Sequence, residues 1–178
     1  MDFFQTITKR QSYRGRFKKQ PVSREDLIKI VSAGLKAPSG KNAQTTTFVI
    51  IDDTDLVSRI TAINSANTAV QTANAFIACI INRVPEPIYE GKAFEIEDCA
   101  AAVENMLLAV TALGYSSVWV DGWLRVQGRG EKISRLLNLP ASKIVRVLLP
   151  VGIADEQYPQ PEKLPFDKRT WFNSYDNH

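Results

Sequence analysis

Two polar segments hold the residues of this chain best suited to chemistry. The first is Ala37-Pro38-Ser39-Gly40-Lys41-Asn42-Ala43-Gln44, set between a helix-forming stretch and an apolar strand-forming one. Pro38 and Gly40 stop the preceding helix, because the residue before a proline avoids the α conformation and glycine favours helix ends. Ser39, Asn42 and Gln44 are left on a short, stiff loop. Their hydroxyl and amide groups both donate and accept hydrogen bonds, which suits a ligand edge of mixed polarity such as a heterocycle; a loop bonded only to itself is the equal alternative. The second segment is Lys9-Arg10-Gln11-Ser12-Tyr13-Arg14-Gly15-Arg16-Phe17-Lys18-Lys19. From Phe3 through Arg24 there are seven basic residues and no acidic one, while the whole chain is only +3, so the remainder sums to −4. Guanidinium groups with a hydroxyl between them suit a phosphate. The alternatives are a solvated helix end, where Lys9 and Arg10 complement the dipole, and a nucleic-acid backbone. Against the last, the run has few aromatics for stacking and no nucleic-acid motif.

Some chemistry is missing. The only histidine is His178, the last residue. Nucleophile systems of the Ser-His-Asp or Cys-His kind need a positioned imidazole, and histidine metal sites fall with them, so no metal is expected. Any reactive chemistry then belongs to a cofactor. Gly128-Arg129-Gly130 is the sole glycine cluster, and it lacks the spacing and preceding strand of a dinucleotide fingerprint. Cys79 and Cys99 lie in apolar periodic segments without metal or redox spacing, and read as small core residues in a reducing compartment. The composition, 44% hydrophobic and 23% charged, is that of a soluble globular protein. No apolar run approaches the ~20 residues of a membrane span, and no signal-peptide core stands at the start. One cytoplasmic domain spanning 1–178 is the expectation.

The elements that must position the two segments are legible in the hydrophobic pattern. Asp2 can cap a helix over Phe3–Lys9, with Phe3, Phe4 and Ile7 on its apolar side. Ser23-Arg24-Glu25-Asp26 opens a helix burying Leu27, Ile30, Val31 and Leu35. Strands are predicted over Thr47–Ile51, Ala75–Ile81, Ser116–Val120 and Ile144–Val151, with Ala75–Ile81 covered on both faces. Helices are predicted over Thr54–Ile63, Asp98–Leu113 and Glu131–Leu137, the longest stopped by Gly114. A proline-rich tail from Asp155, with Trp171 and Phe172, has no core of its own and is expected to wrap another surface, such as a second copy of the chain. Trp119 and Trp123 flank Asp121-Gly122 and read as core more than as stacking residues. Asp121 is a charged floor to a site or a turn residue with equal weight, and Glu104 and Asn105 read as a solvated helix face.

In order along the chain, Arg10-Gln11-Ser12-Tyr13-Arg14, the run Ala37 to Gln44, the helix Asp98 to Gly114, Val118-Trp119-Val120-Asp121-Gly122 and Lys163-Leu164-Pro165 together resemble the FMN-dependent nitroreductase family over nearly the full length. The resemblance implies an α+β fold of three layers. A central mixed or antiparallel β-sheet lies between helices, and an extended C-terminal arm is exchanged in a homodimer. It implies that Arg10, Ser12 and Lys163 hold the FMN phosphate with Gln11 nearby, and that Arg14 stands at the flavin's pyrimidine edge. Gly122 would leave room at flavin N5, and Val120 and Asp121 would line the same ring face. Pro38, Ser39, Gly40, Asn42 and Gln44 would reach the flavin from the second subunit. The chain departs from the family in having Pro161 before Lys163 where a second basic residue is common, and Thr45-Thr46 after Gln44 where a proline and a bulky aromatic are common.

The resemblance further implies an oxidoreductase that takes hydride from NADH or NADPH through flavin N5 and reduces nitroaromatics, quinones or related small-molecule acceptors in a ping-pong cycle. No side chain would need to act as acid, base or nucleophile. The same site could instead serve flavin reduction, reductive dehalogenation or flavin breakdown. From another class, a non-catalytic polyanion-binding module would use the basic run alone.

Overall fold

The computed structural model describes residues 1–63 and 67–175; His178, the lone histidine, lies outside them. The chain runs through α1 (Phe3–Lys9), α2 (Arg24–Gly34), β1 (Thr47–Ile51), α3 (Thr54–Thr61), α4 (Thr68–Gln71), β2 (Ala75–Asn82), α5 (Glu95–Ala112), β3 (Ser116–Ser117), α6 (Arg129–Leu136) and β4 (Lys143–Gly152). The four strands form one antiparallel sheet in the order β1-β2-β4-β3. Successive residues of β2 point to opposite faces, and both faces are apolar. Phe76, Ala78 and Ile80 join a core with Val57, Ile60 and Ile133, from α3 and α6. Ala75, Ile77, Cys79 and Ile81 join a core with Leu27 and Ile30 of α2 and Val103, Met106 and Val110 of α5. The result is helices, sheet, helices, as expected.

The helix starts follow their caps. Asp2 accepts from the Gln5 N–H and Gln5 reaches back to Asp2, closing a capping box on α1. Ser23, Asp53 and Asn67 cap α2, α3 and α4 in the same manner, each accepting a main-chain N–H. Five elements differ from the sequence reading by two residues or more, among them α3, which ends at Thr61 rather than Ile63. α5 begins at Glu95, three residues before the expected Asp98. α4, one turn long, is additional. α6 spans Arg129–Leu136 rather than Glu131–Leu137. The strand expected over Ser116–Val120 is broken: Ser117 pairs with Val151 and Val120 with Leu148, but the ladder lapses between them. In that register Pro150 stands opposite Val118, and it has no N–H to donate.

The apolar side expected for α1 is outward: Phe3, Phe4 and Ile7 are exposed, and Thr6 is the helix's buried residue. Leu35 is exposed too, against expectation, because α2 has ended by then. Cys79 and Cys99 are free and buried, as expected. The neighbouring Cys99 thiol and burial push the Cys79 thiol well above its ordinary value, so it is unreactive. No helix among the described residues is long and apolar enough to cross a membrane.

α2 and α5 approach closely at Gly34, where an added Cβ would lie 2.8 Å from Met106 Cγ and 3.4 Å from the Ala102 carbonyl oxygen. Gly34→Val should therefore cost about 1–3 kcal/mol through overpacking, read by urea unfolding, and Met106→Ala in the same chain should recover part of it. At the periphery, Arg24 grips Asp52 at 2.6 and 2.7 Å, and Arg83 pairs with Glu131. These guanidinium bonds hold both carboxyls below their usual range. Their contribution is present at neutral pH and fades as pH falls through and below the ordinary carboxylate range. A variant carrying Arg24→Ala and Arg83→Ala should thus lose less stability between about pH 5 and 3 than the parent chain does.

Candidate functional site

The loop after α2 is held in an unusual backbone shape. Lys41, Asn42 and Gln44 all lie in the left-handed region, at φ of 48°, 56° and 51°. Each such residue costs about 1–2 kcal/mol, least for asparagine. The shape is fixed from below by Asp98 in the first turn of α5. Its Oδ1 accepts the Gly40 N–H at 2.9 Å and its Oδ2 accepts the Thr45 hydroxyl at 3.2 Å. Asp98 is 6% exposed, so these bonds replace its water. Within the loop, Ser39 Oγ accepts the Gln44 N–H at 3.1 Å. Gly40 faces inward: an added Cβ would meet Phe94 Cδ2 at 3.0 Å and Ile88 Cδ1 at 3.1 Å. Ile88 opens a tight turn that closes at Lys92, Phe94 is the residue before α5, and Lys41 Nζ lies 4.7 Å from the Tyr89 ring centroid. Ala37, Pro38, Ser39, Gln44, Thr45 and Thr46 border a small cavity of about 220 Å³. The Thr46 hydroxyl there is buried with no hydrogen-bond partner among the described residues. Asn42 stays exposed.

The basic segment is an extended ribbon rather than a continuation of α1. The Tyr13 N–H donates to the Ser117 carbonyl and the Lys18 N–H to that of Ile153, each at 2.9 Å, so the ribbon edges the sheet. Tyr13, Gly15 and Phe17 are buried while Arg14, Arg16 and Lys18 are exposed, the period of two that strands impose. The expected cationic cluster is thereby divided. Arg10 turns toward α5 and the tail and shares a cleft of about 620 Å³ with Lys163, Gln160, Glu104 and Glu162. Its Nε lies 3.5 Å from Glu104 Oε1, and Gln160 Nε2 donates to its carbonyl at 3.0 Å. Arg14 instead folds back, Nη1 donating to the Ser12 carbonyl at 3.3 Å. Gln11 and Ser12 lie between them, and Ser12 forms a bridge with Ser117, whose hydroxyl is buried and unpartnered among the described residues.

The third group sits beyond β3. Val120 faces the core at 3% exposure, and its N–H and carbonyl both bond to Leu148. Its side chain is thus committed to the core, and the surface begins at Asp121 and Gly122. Asp121 is neither a bare charged floor nor an ordinary turn residue. It accepts Arg125 at 2.6 Å on each oxygen and Arg146 at 2.6 Å on Oδ1. Arg146 reaches it because β4 bulges there: Cys79 pairs with Val147 and Ile80 with Val145, leaving Arg146 unmatched. Gly122 follows, and a Cβ built on it would meet nothing within 4 Å, so a ligand has open space there.

Arg10 and Lys163 thus meet within one chain, whereas the loop Pro38–Gln44 and the turn Asp121-Gly122 open elsewhere. Sequence reasoning missed Asp98 as the loop's anchor and Arg146 and Arg125 as partners of Asp121. Glu104 and Asn105 also do more than face water: Glu104 pairs with Arg10, and Asn105 Nδ2 donates to the Ala33 carbonyl at 3.2 Å. Trp119 and Trp123 are partly buried against the two cores, as expected. No cluster of metal-ligating side chains occurs among the described residues.

The profile of the nitroreductase family matches residues 7–86 and 85–153. The chain belongs to the nitroreductase family. A protein of Archaeoglobus fulgidus, provisionally named an NADH dehydrogenase/NAD(P)H nitroreductase, is 29% identical over 153 residues, 85% of this chain and 83% of that one. An FMN-dependent nitroreductase from Clostridium difficile superposes with a TM-score of 0.80 at 25% identity, covering 97% of this chain and 100% of that one. A nitroreductase-like protein from Desulfovibrio desulfuricans, solved in complex with FMN, superposes with a TM-score of 0.77 at 26% identity, covering 97% and 96%.

Asp98→Ala removes the acceptor of two bonds and should loosen the loop selectively. Amide exchange at Gly40 should accelerate at least tenfold, from about 1.5–3 kcal/mol of lost charge-assisted bonding, with the β2 amides unchanged.

Proposed function

We propose that this nitroreductase-family protein is an FMN-dependent oxidoreductase that takes reducing equivalents from NADH or NADPH and passes them to a nitroaromatic, quinone or related small-molecule acceptor. The observation that carries the reading is the meeting of Arg10 and Lys163, 153 positions apart, in a single cleft. Their donors suit the terminal phosphate of FMN, with Gln11 and Ser12 on the adjoining chain. Bound flavin would supply the redox chemistry that this chain's side chains lack. The chain's own part is positioning. Ser39, Asn42 and Gln44 offer hydroxyl and amide groups on a loop already stiffened by Asp98. The open space at Gly122 leaves room beside the turn for a planar ring. Asp121, fully engaged by arginines, lends the turn stiffness rather than a free acceptor.

The loop Pro38–Gln44 and the Arg10–Lys163 cleft are separate in one chain, so the reading includes a homodimer in which each loop completes its partner's site. Support comes from apolar side chains left exposed on α1 and the tail: Phe3, Phe4, Leu164, Phe166 and Phe172. Paired subunits would cover them, with the tail as the exchanged arm.

Freshly purified protein should be yellow and should bleach when NADH or NADPH is added under anaerobic conditions. Colourless protein that takes up no FMN would end the reading. Arg10→Ala should weaken FMN binding by about 1.5–3 kcal/mol, by fluorescence titration. Glu104→Gln should tighten it several-fold, because Arg10 then loses no ion pair on meeting the phosphate.

A further inference from the structure

We propose that the cavity beneath the loop, walled by Asp98 and Thr46, is a binding site for a small primary alkylammonium ion. It does not rest on the flavin reading. The cavity, of about 220 Å³, lies between the end of α2, the start of β1 and the first two turns of α5. Asp98, at 6% exposure, is the one charged side chain on its wall, and no ion pair among the described residues engages it. Lys36 before the loop and Lys41 within it are both exposed, and Lys41 lies over Tyr89 instead. A second polar group borders the same space: the Thr46 hydroxyl, buried with no hydrogen-bond partner among the described residues.

The carboxylate sets the sign of the ligand. The Gly40 N–H and the Thr45 hydroxyl donate to it at 2.9 and 3.2 Å, but both donors are neutral. The N-terminus of α5 adds at most about half a positive charge. A negative field therefore persists in the cavity, and a cation entering it relieves a buried charge. The acceptors then narrow the class. Those two bonds use one lone pair on each Asp98 oxygen, and the Thr45 and Thr46 oxygens can accept as well. Such a set suits the three N–H groups of a primary ammonium, whereas a quaternary ammonium has none to donate. Leu35, Phe48 and Ala102 give the rest of the wall an apolar character that matches an alkyl chain and leaves a bare alkali ion unserved. A water molecule needs only about 10–15 Å³ of such space, so an ammonium on a short carbon chain has room.

The test is an amide-resolved NMR titration at neutral pH, where an alkylamine is protonated, with excess FMN present and about 0.15 M NaCl to screen exposed charges. The probes are propylammonium, tetramethylammonium, potassium and 1-propanol. Propylammonium should shift the Gly40, Thr45 and Thr46 amides saturably and slow Gly40 amide exchange several-fold, and the other three should do neither at the same concentration. Thr46→Val should weaken propylammonium about tenfold without lowering stability to urea, because the hydroxyl it removes is unpaired in the folded chain. Asp98→Asn should abolish the saturable shifts. No saturation by propylammonium, an equal response to potassium or tetramethylammonium, or undiminished binding in either variant would each overturn the proposal. So would propylammonium binding that is seen without FMN and lost when FMN is added, since the cavity would then belong to the flavin.

Discussion

The grip of one buried carboxylate on one loop governs the arrangement of this molecule's polar surface. Asp98 stands in the first turn of α5, where the helix dipole favours negative charge, and spends both oxygens on the segment following α2. That segment contains three non-glycine residues in left-handed conformations, a state that no local preference would sustain. What sustains it is tertiary: the carboxylate beneath, Ser39 across the turn, and the Ile88 and Phe94 side chains against Gly40. α5 is in turn seated on α2 through the close approach at Gly34, so the loop is clamped at its origin and at its middle by the same helix pair. Its amide and hydroxyl groups are therefore set before any ligand arrives, and little ordering entropy remains to be lost on binding.

The sheet and its main helices were legible because burial on both faces leaves a dense signal. β2 is a continuous apolar run, and α5 repeats its apolar residues at helical spacing over four turns. What escaped was written in less local terms. Pro150 breaks a ladder that the β-branched residues of Val118–Val120 would otherwise suggest, and nothing near Val118 announces it. α5 starts early because Glu95 and Glu97 can occupy its first turn without a side-chain cap. Phe3, Phe4 and Leu35 read as buried because apolar periodicity says that a face is covered but not by what.

The candidate site divides in the same way. Its loop and its basic run could be recognised as motifs, residue by residue. The partners that shape them could not. Asp98 is 58 positions from Gly40, and it reads equally well as an ordinary helix-opening residue. Arg146 lies inside an apolar strand with no pattern to mark it, and its pairing with Asp121 depends on a bulge that only the facing strand reveals. The even alternation of Arg14, Arg16 and Lys18 with Tyr13, Gly15 and Phe17 was present in the sequence, but a cluster of charge draws the eye to its sum rather than to its period.

The extra residue at Arg146 has a further consequence for how this fold can vary. Val145 and Val147 serve opposite cores only because one position between them has no counterpart in β2. Shortening β4 by that single residue would restore an unbroken ladder with Val145 and Val147 still on opposite faces, yet it would strand the Asp121 carboxylate with one cation instead of two. Length in this stretch is thus coupled to charge twenty-five positions earlier. A descendant of this chain that lost the bulge would keep both cores and give up half of the hold on that carboxylate.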